Sequence, residues 1–163
     1  MNTADVRLLF EYNDWANRLI LAKSAEVTPE QWDAPTTHSW GSLHGTVVHI
    51  LRGEHRWRMI FEMGEVPADG IKPEDFPTVE SVRERWTVEQ SAWHTYLNDL
   101  TDADMSRMIR YSTKVSVSER VLWHCLFHIV NHGTQHRSEA AHMLTQYGHS
   151  PGDIDFTLYL VQH

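Results

Sequence analysis

A chain of 163 residues, 41% of them hydrophobic, can bury one core of ordinary size, so the sequence predicts a single globular domain over residues 1–163. Its formal net charge of −8 excludes a protein that binds nucleic acid or an anionic membrane through a basic surface. The single cysteine excludes both an internal disulfide and a cysteine-rich zinc site.

The segment from Ala4 to Ala25 has the apolar spacing of a helix. It carries two apolar stripes, one formed by Leu8, Tyr12, Trp15 and Leu19 and the other by Val6, Leu9, Phe10 and Ile20. Two stripes are explained either by a deeply buried helix or by a helix whose second face meets another subunit. The sequence leaves both readings open.

Capping signals then mark a helical turn and a second long helix. The turn begins at Thr28-Pro29-Glu30-Gln31 and ends before Pro35. The long helix starts after Ser42 and ends at Gly64, a residue that suits a left-handed C-cap. Three prolines and a glycine in residues 65–77 then predict a long surface connection.

A third long helix is predicted from the cap Thr78 to the acidic turn at Thr101–Asp104. Two short extended pieces, Met108–Tyr111 and Lys114–Val117, predict a small β-hairpin. Ser116-Val117-Ser118-Glu119 matches a capping box, so the last helix is predicted to start there and to run for about 30 residues to Tyr147. Four long helices and one crossover loop predict an all-α, antiparallel four-helix bundle.

Nothing in the sequence predicts export or membrane insertion. The charged N-terminal segment lacks the apolar run of a signal peptide, and no stretch reaches the roughly 18 apolar residues of a membrane span. Cys125 lies in an apolar helical run, where a thiol usually packs as a small hydrophobic group. We therefore expect a cytoplasmic protein in a reducing compartment.

Histidine is the residue type that is out of proportion, with twelve in the chain. Four of them, at positions 124, 128, 132 and 136, recur at every fourth residue of the last helix. Neighbours in this row share a helical face, and an i, i+4 pair can give two imidazole ligands to one metal ion. The whole row is too long for one coordination sphere, so a third ligand should come from another helix.

Glycines accompany these histidines. Gly133 follows His132, where a metalloprotease of the H-E-x-x-H type has its glutamate, so peptidase activity is disfavoured. On the second long helix, His49 has Gly45 and Gly53 four residues to either side, which leaves room for an ion or for close helix contact. Glu139, three residues after His136, could orient an imidazole or could be a solvated surface charge.

The sequence resembles the DinB-like, YfiT-like family of metalloenzymes over its whole length. The resemblance is carried by Tyr12-Asn13-Asp14-Trp15-Ala16-Asn17, by Gly41–Ile50, by Leu126–Leu144 with its stretch HIVNHGTQHR, and by Pro151-Gly152-Asp153-Ile154-Asp155. Ser138-Glu139 departs from the glycine and glutamine that are more usual after Arg137. The departure concerns the surroundings of the ligands and not the ligands themselves.

The resemblance implies a four-helix bundle, a homodimer and a metal site made by His49, His132 and His136, with His128 as a neighbour and no ligand. One divalent transition metal is expected, zinc or nickel first and iron or manganese as alternatives. Three histidines leave open positions, which is typical of a catalytic site.

Three functions remain open at this stage. The site could activate a low-molecular-weight thiol, such as bacillithiol or mycothiol, for transfer to an electrophilic small molecule, or it could hydrolyse a small substrate. The absence of a general base next to the ligands favours the thiol. The third function is a metal- or stress-responsive binding protein without turnover.

Overall fold

The computed structural model describes residues 1–68, 70–113 and 115–163. In these residues the chain forms six α-helices and one two-stranded antiparallel sheet. In chain order they are α1 (Thr3–Ser24), α2 (Pro29–Asp33), α3 (Leu43–Met63), α4 (Val79–Asp99), β1 (Met108–Ser112), β2 (Val117–Val121), α5 (Leu122–Gln146) and α6 (Phe156–Gln162). The protein is therefore mostly helical. In this part of the chain no helix is long and apolar enough to cross a membrane.

Local capping chemistry sets most of the helix ends, as the sequence predicts. The side chain of Ser42 accepts a hydrogen bond from the backbone N–H of Gly45 at the start of α3, and Gly64 ends that helix with φ of 73°. Thr28 and Thr78 likewise cap α2 and α4. These interactions lie within a few residues of each other, so the sequence alone predicts them correctly.

The predicted start of the last helix is wrong. Residues 117–121 form β2, which pairs with β1 from Met108 opposite Val121 to Ser112 opposite Val117. The helix α5 begins only at Leu122 and has 25 residues, without a side-chain cap. The ladder satisfies the backbone groups that a first helical turn would have left unpaired, and this gain outweighs the capping box.

The predicted hairpin is confirmed, although its second strand lies later in the chain than expected. Lys114, the first residue of the predicted second strand, lies outside the described residues, as does Asp69 of the connection between α3 and α4. The described part of that connection contains one 3₁₀ turn at Pro73–Asp75. A further 3₁₀ turn at Asp102–Ser106 follows α4.

The four long helices pack around a common core. α5 contacts α1 and α3, and α4 contacts the same two helices. The apolar core consists of two clusters, one toward each end of the long helices. Cys125 is buried in a helix of this core, in line with its predicted role as a small hydrophobic residue, and burial raises the pKa of its thiol to about 11.

The C-terminal helix α6, which the sequence pattern does not predict, covers one apolar stripe of α1. Tyr159 of α6 lies 5.9 Å from the ring of Tyr12 and 5.6 Å from that of Trp15, between ring centroids. Both α1 residues are buried within this one chain. Two residues of this stripe are therefore covered within the one chain, whereas Leu8 of the same stripe is exposed.

Candidate metal centre

The structure brings His49 of α3 together with His132 and His136 of α5. One ring nitrogen from each histidine lies within 4.8 Å of the other two, so the group could hold a metal ion. The Nε2 atoms of His49 and His132 are 2.8 Å apart. His136 is buried, and the other two are half-buried. His49 thus joins, in one cluster of imidazoles, two neighbouring residues of α5 that are distant from it in sequence.

Glu139 orients the ring of His136. The Nδ1–H of His136 lies 3.0 Å from Oε2 of Glu139, and Ser39 donates a hydrogen bond to the other carboxylate oxygen at 3.0 Å. With its proton held at Nδ1, the ring presents the lone pair of Nε2 to the cluster. Of the two sequence interpretations of Glu139, orientation of an imidazole is the one that the geometry supports.

Two residues that the sequence analysis did not single out hold His49. The indole of Trp40 stacks on its ring, with centroids 3.6 Å apart and planes 15° apart. The Nη2 of Arg52 lies 2.9 Å from its Nδ1. Since a guanidinium can only donate, Nδ1 is the acceptor and the neutral ring carries its proton on Nε2, toward His132. A metal could bind at that Nε2 only if the proton moved to Nδ1, and Arg52 would then have to release Nδ1.

The two glycines beside His49 are required by different neighbours, and neither of them makes room for an ion. A Cβ at Gly53 would lie 2.9 Å from Cε1 of His132, so this glycine lets the ring of the opposite helix approach. A Cβ at Gly45 would overlap the carbonyl oxygen of Trp40. Of the two sequence interpretations, close contact is the one that the structure supports.

Burial and crowding favour the neutral form of His49 and His132. Burial, followed by repulsion from neighbouring histidines and Arg52, lowers the pKa of His49 to about 3. The pKa of His132 falls to about 4, again chiefly through burial. A neutral imidazole is the form that binds a metal. The two rings are therefore uncharged at neutral pH, although His49 can bind a metal at Nε2 only after its proton leaves that nitrogen.

The donor set fits a divalent transition metal. Nitrogens that lie about 2.1 Å from a tetrahedral ion are about 3.4 Å apart, and the separations in this cluster, from 2.8 Å up to 4.8 Å, bracket that distance. Imidazole ligands suit zinc, nickel and iron, so the donors do not select among these three, whereas manganese prefers oxygen ligands. Among the described residues, no carboxylate or cysteine belongs to the cluster.

A cleft of about 610 Å³ opens beside the cluster and is lined in part by His49 and His132. The connection between α3 and α4 contributes Val66, Pro67 and Ala68 to its wall. Small-molecule sites commonly have volumes of roughly 300–1,000 Å³. The cleft can therefore bring a small substrate next to the three histidines.

His128 lines this cleft but does not belong to the three-histidine group, as the sequence predicts. Its ring centroid lies 5.7 Å from that of His132 and 5.6 Å from that of Trp57. Burial lowers the pKa of its imidazole. The residue is placed to form the wall of the cleft.

Arg137 points away from the cluster and into the core, where it is fully buried. Its Nη1 donates to Oδ1 of Asn13 at 2.6 Å and to Oδ1 of Asn17 at 2.9 Å. The amide nitrogens of both asparagines donate in turn to Oε1 of Glu54, at 2.7 and 2.9 Å. The two amides thus connect a buried guanidinium to a buried carboxyl group directly behind the histidine site.

Two comparisons agree with this arrangement. A model of the DinB family matches residues 1–162. The chain belongs to the DinB family. It is also 24% identical to "Protein DinB" of Bacillus subtilis (strain 168), over 93% of this chain and 91% of the relative. The resemblance drawn from the sequence motifs is therefore confirmed.

The structure shows what the motif residues of α1 contact. Asn13 and Asn17 of the motif in α1 belong to the buried network with Arg137. The guanidinium carbon of Arg137 also lies over the ring of Tyr12, 5.6 Å from the centroid of that ring. In this DinB-family chain the motif on α1 therefore supports the helix that carries His132 and His136 and does not reach the cluster itself.

Sequence reasoning missed Trp40, Arg52 and Glu54. The spacing of Arg52 could have indicated its contact with His49, because a residue three positions later lies on the same helical face. Glu54 could have been noticed, less readily, as an acidic residue within the apolar pattern of α3. Trp40 lies in an irregular segment before α3, where no periodicity indicates which way its ring points.

Proposed function

We propose that this DinB-family protein binds one divalent transition metal through His49, His132 and His136 and activates a low-molecular-weight thiol for transfer to an electrophilic small molecule. The observation that supports it is the cluster itself, three imidazoles from two helices beside a cleft of substrate size. An ion with three protein ligands keeps open positions for a substrate, as catalytic sites do.

A divalent ion held there would lower the pKa of a thiol or water at an open position and polarise a substrate oxygen. The protein's own residues prepare the site. Glu139 fixes the ring of His136, Trp40 fixes that of His49, and Gly53 lets His132 come close enough to join them. Preorganised ligands of this kind reduce the ordering that binding requires.

The thiol reaction is favoured over hydrolysis because, among the described residues, no carboxylate beside the cluster is free to act as a general base. Glu139, the carboxylate next to it, is engaged by His136 and Ser39. Burial acts to raise the pKa of Glu139, but these two hydrogen bonds outweigh it and the net pKa is lowered. Such a group is a weak base, whereas a thiol supplies its own nucleophile and needs only to lose its proton.

We further propose that the four long helices form the antiparallel four-helix bundle of the family, and that the chain forms a homodimer. The mutual packing of α1, α3, α4 and α5 supports the first of these. The dimer and the cytoplasmic location stay predictions.

Metal content tests the site. After equimolar zinc or nickel is added and loose metal is removed by dialysis, we expect about one ion per wild-type chain and a large loss in His136→Ala. Removing one of three ligands leaves a pair, which holds a metal far more weakly. His128→Ala is the matched control, since it removes a neighbouring imidazole of the same helix and should keep the ion. Equal stoichiometry in wild type and His136→Ala would rule the site out.

A transfer assay tests the reaction. Metal-loaded protein is mixed with several thiols and a chlorinated dinitrobenzene; the sulfur–carbon bond that forms replaces the carbon–chlorine bond and releases chloride and a proton. We expect a rate above the no-thiol and no-protein controls that disappears in His136→Ala. Activity on a nitrophenyl ester without thiol would indicate the hydrolase instead. A metal-loaded protein inactive in both assays would be a binding protein without turnover.

A further inference from the structure

The walls of the cleft carry an unusual charge for this protein. Arg52 and Arg56, one helical turn apart on α3, both line it. No acidic residue lines it among the described residues, a set that excludes Asp69. The chain as a whole has 22 acidic and 14 basic residues. A cationic cleft in an acidic protein needs a specific reason.

Other arginines around α3 show the contrast. Arg58, on the same helix, forms ion pairs with Glu62 and with the buried Glu89. Arg85 of α4 pairs with the same Glu89 at 2.8 Å. In these positions the guanidinium charge is neutralised within the protein.

The cleft arginines lack such partners in the described part of the chain. The guanidinium of Arg52 contacts only the Nδ1 of His49 and the face of Trp40, whose ring centroid lies 4.7 Å away. The exposed Arg56 forms neither a hydrogen bond nor an ion pair with a described side chain. Two guanidinium groups one turn apart therefore face the cleft without a carboxylate from any residue that the structure describes.

Aromatic side chains complete the binding surface. Trp40 and Trp57 line the same cleft as the two arginines. A guanidinium offers a planar fork of donors that matches a carboxylate or a phosphate, and an indole offers an apolar face to a flat molecule. Electrostatic attraction is stronger in a cleft than on an open surface.

We infer that the cleft binds a small organic anion, with its carboxylate or phosphate at Arg52 and Arg56 and a flat apolar part against the tryptophans. The inference rests on the proposed function, because this anion is the molecule presented to the three-histidine site. Arg56 is the better residue to substitute in a test of this inference, since Arg52 also contacts the metal-site residue His49.

Calorimetric titration tests it with three probes of similar shape: benzoate, phenyl phosphate and the uncharged benzamide. The proteins are zinc-loaded wild type, Arg56→Gln and Arg110→Gln, and wild type stripped of metal. Arg110 lies on β1 and is exposed, so its variant loses the same charge away from the cleft. We expect wild type to prefer the two anions to benzamide, and Arg56→Gln to weaken both anions roughly tenfold, in keeping with a charge-assisted hydrogen bond. Arg110→Gln and benzamide should show little change.

The stripped protein separates this inference from the metal proposal. Anion binding that survives metal removal and falls in Arg56→Gln supports the arginine site, even where metal content fails to distinguish His136→Ala from wild type. Binding that needs the metal and is unaffected by Arg56→Gln would place the anion on the ion and overturn the inference. Equal affinity for benzoate and benzamide, or equal losses in Arg56→Gln and Arg110→Gln, would overturn it as well.

Discussion

Gly133 lies between the two histidines of α5 because two buried polar groups occupy the space of its missing side chain. A Cβ there would be 2.6 Å from Nη1 of Arg137 and 2.8 Å from Oδ1 of Asn13. The sequence leaves open whether this glycine serves packing or access. The contacts decide for packing, and they connect the metal-site helix to the buried network.

We expect Gly133→Ala to destabilise the fold by about 1–2 kcal/mol. Alanine gains about 1 kcal/mol in helix propensity, but forcing a methyl group into a packed core costs typically 1–3 kcal/mol, and here it also disturbs a buried guanidinium. Urea unfolding of the metal-free protein measures the difference. Gln135→Ala, an exposed position two residues away, should change stability little. A Gly133→Ala protein more stable than wild type would contradict this, because it would show that Arg137 and Asn13 can move to accommodate a methyl group.

At the level of the elements, a polar layer crosses the core between the four long helices. On each long helix it lies between the residues of the two apolar clusters: Asn17 on α1, Glu54 on α3, Glu89 on α4 and Arg137 on α5. All four are buried. Buried polar groups are tolerated only where they are hydrogen-bonded, and partners on four different helices restrict how those helices can be aligned. The layer therefore helps to set the register that brings His49 opposite His132.

Glu54 gives this layer a pH dependence. Burial, with a contribution from Asp14, raises the pKa of its carboxyl group from 4.5 to about 7, although Asn13, Asn17 and Trp86 donate hydrogen bonds to it. An acid with a raised pKa in the folded state favours folding below its unfolded pKa. That advantage is lost as the pH rises through the interval between the two values. The shift corresponds to about 3 kcal/mol.

Comparison with Glu54→Gln isolates this effect, since glutamine does not titrate. The stability of wild type relative to the variant should be greatest below pH 4.5 and should be about 3 kcal/mol lower by pH 8, in urea unfolding of metal-free proteins. Both proteins share all other titrating groups, including the histidines, so these cancel in the difference. A difference independent of pH would mean that Glu54 keeps one protonation state throughout.

The hairpin shows how one element changes its neighbour. Ser116-Val117-Ser118-Glu119 has the residues of a capping box, yet Val117 pairs with Ser112 of β1. Helix and strand compete for the same backbone groups, and the presence of a partner strand decides between them. A capping motif alone does not reveal such a partner.

For the whole molecule, the position of α6 is the main feature that the sequence pattern did not predict. Asp155 caps this helix by accepting a hydrogen bond from the N–H of Leu158, a local signal that could have been read. Its docking on Tyr12 and Trp15 could not, because contact between residues over 140 positions apart depends on how the other helices are arranged. The homodimer stays a prediction, because this docking covers Tyr12 and Trp15 within one chain.

The sequence by itself determined most ends of α1 to α4, the family, and the histidine pair on α5, because capping, periodicity and i, i+4 spacing act over a few residues. The tertiary structure decided where α5 begins, that Arg137 points into the core, and that Arg52 and Trp40 hold His49. Those outcomes depend on strand pairing, burial and contacts between distant segments. His49 itself, predicted as the third ligand from its flanking glycines and the family motif, needed both kinds of information to be placed beside His132.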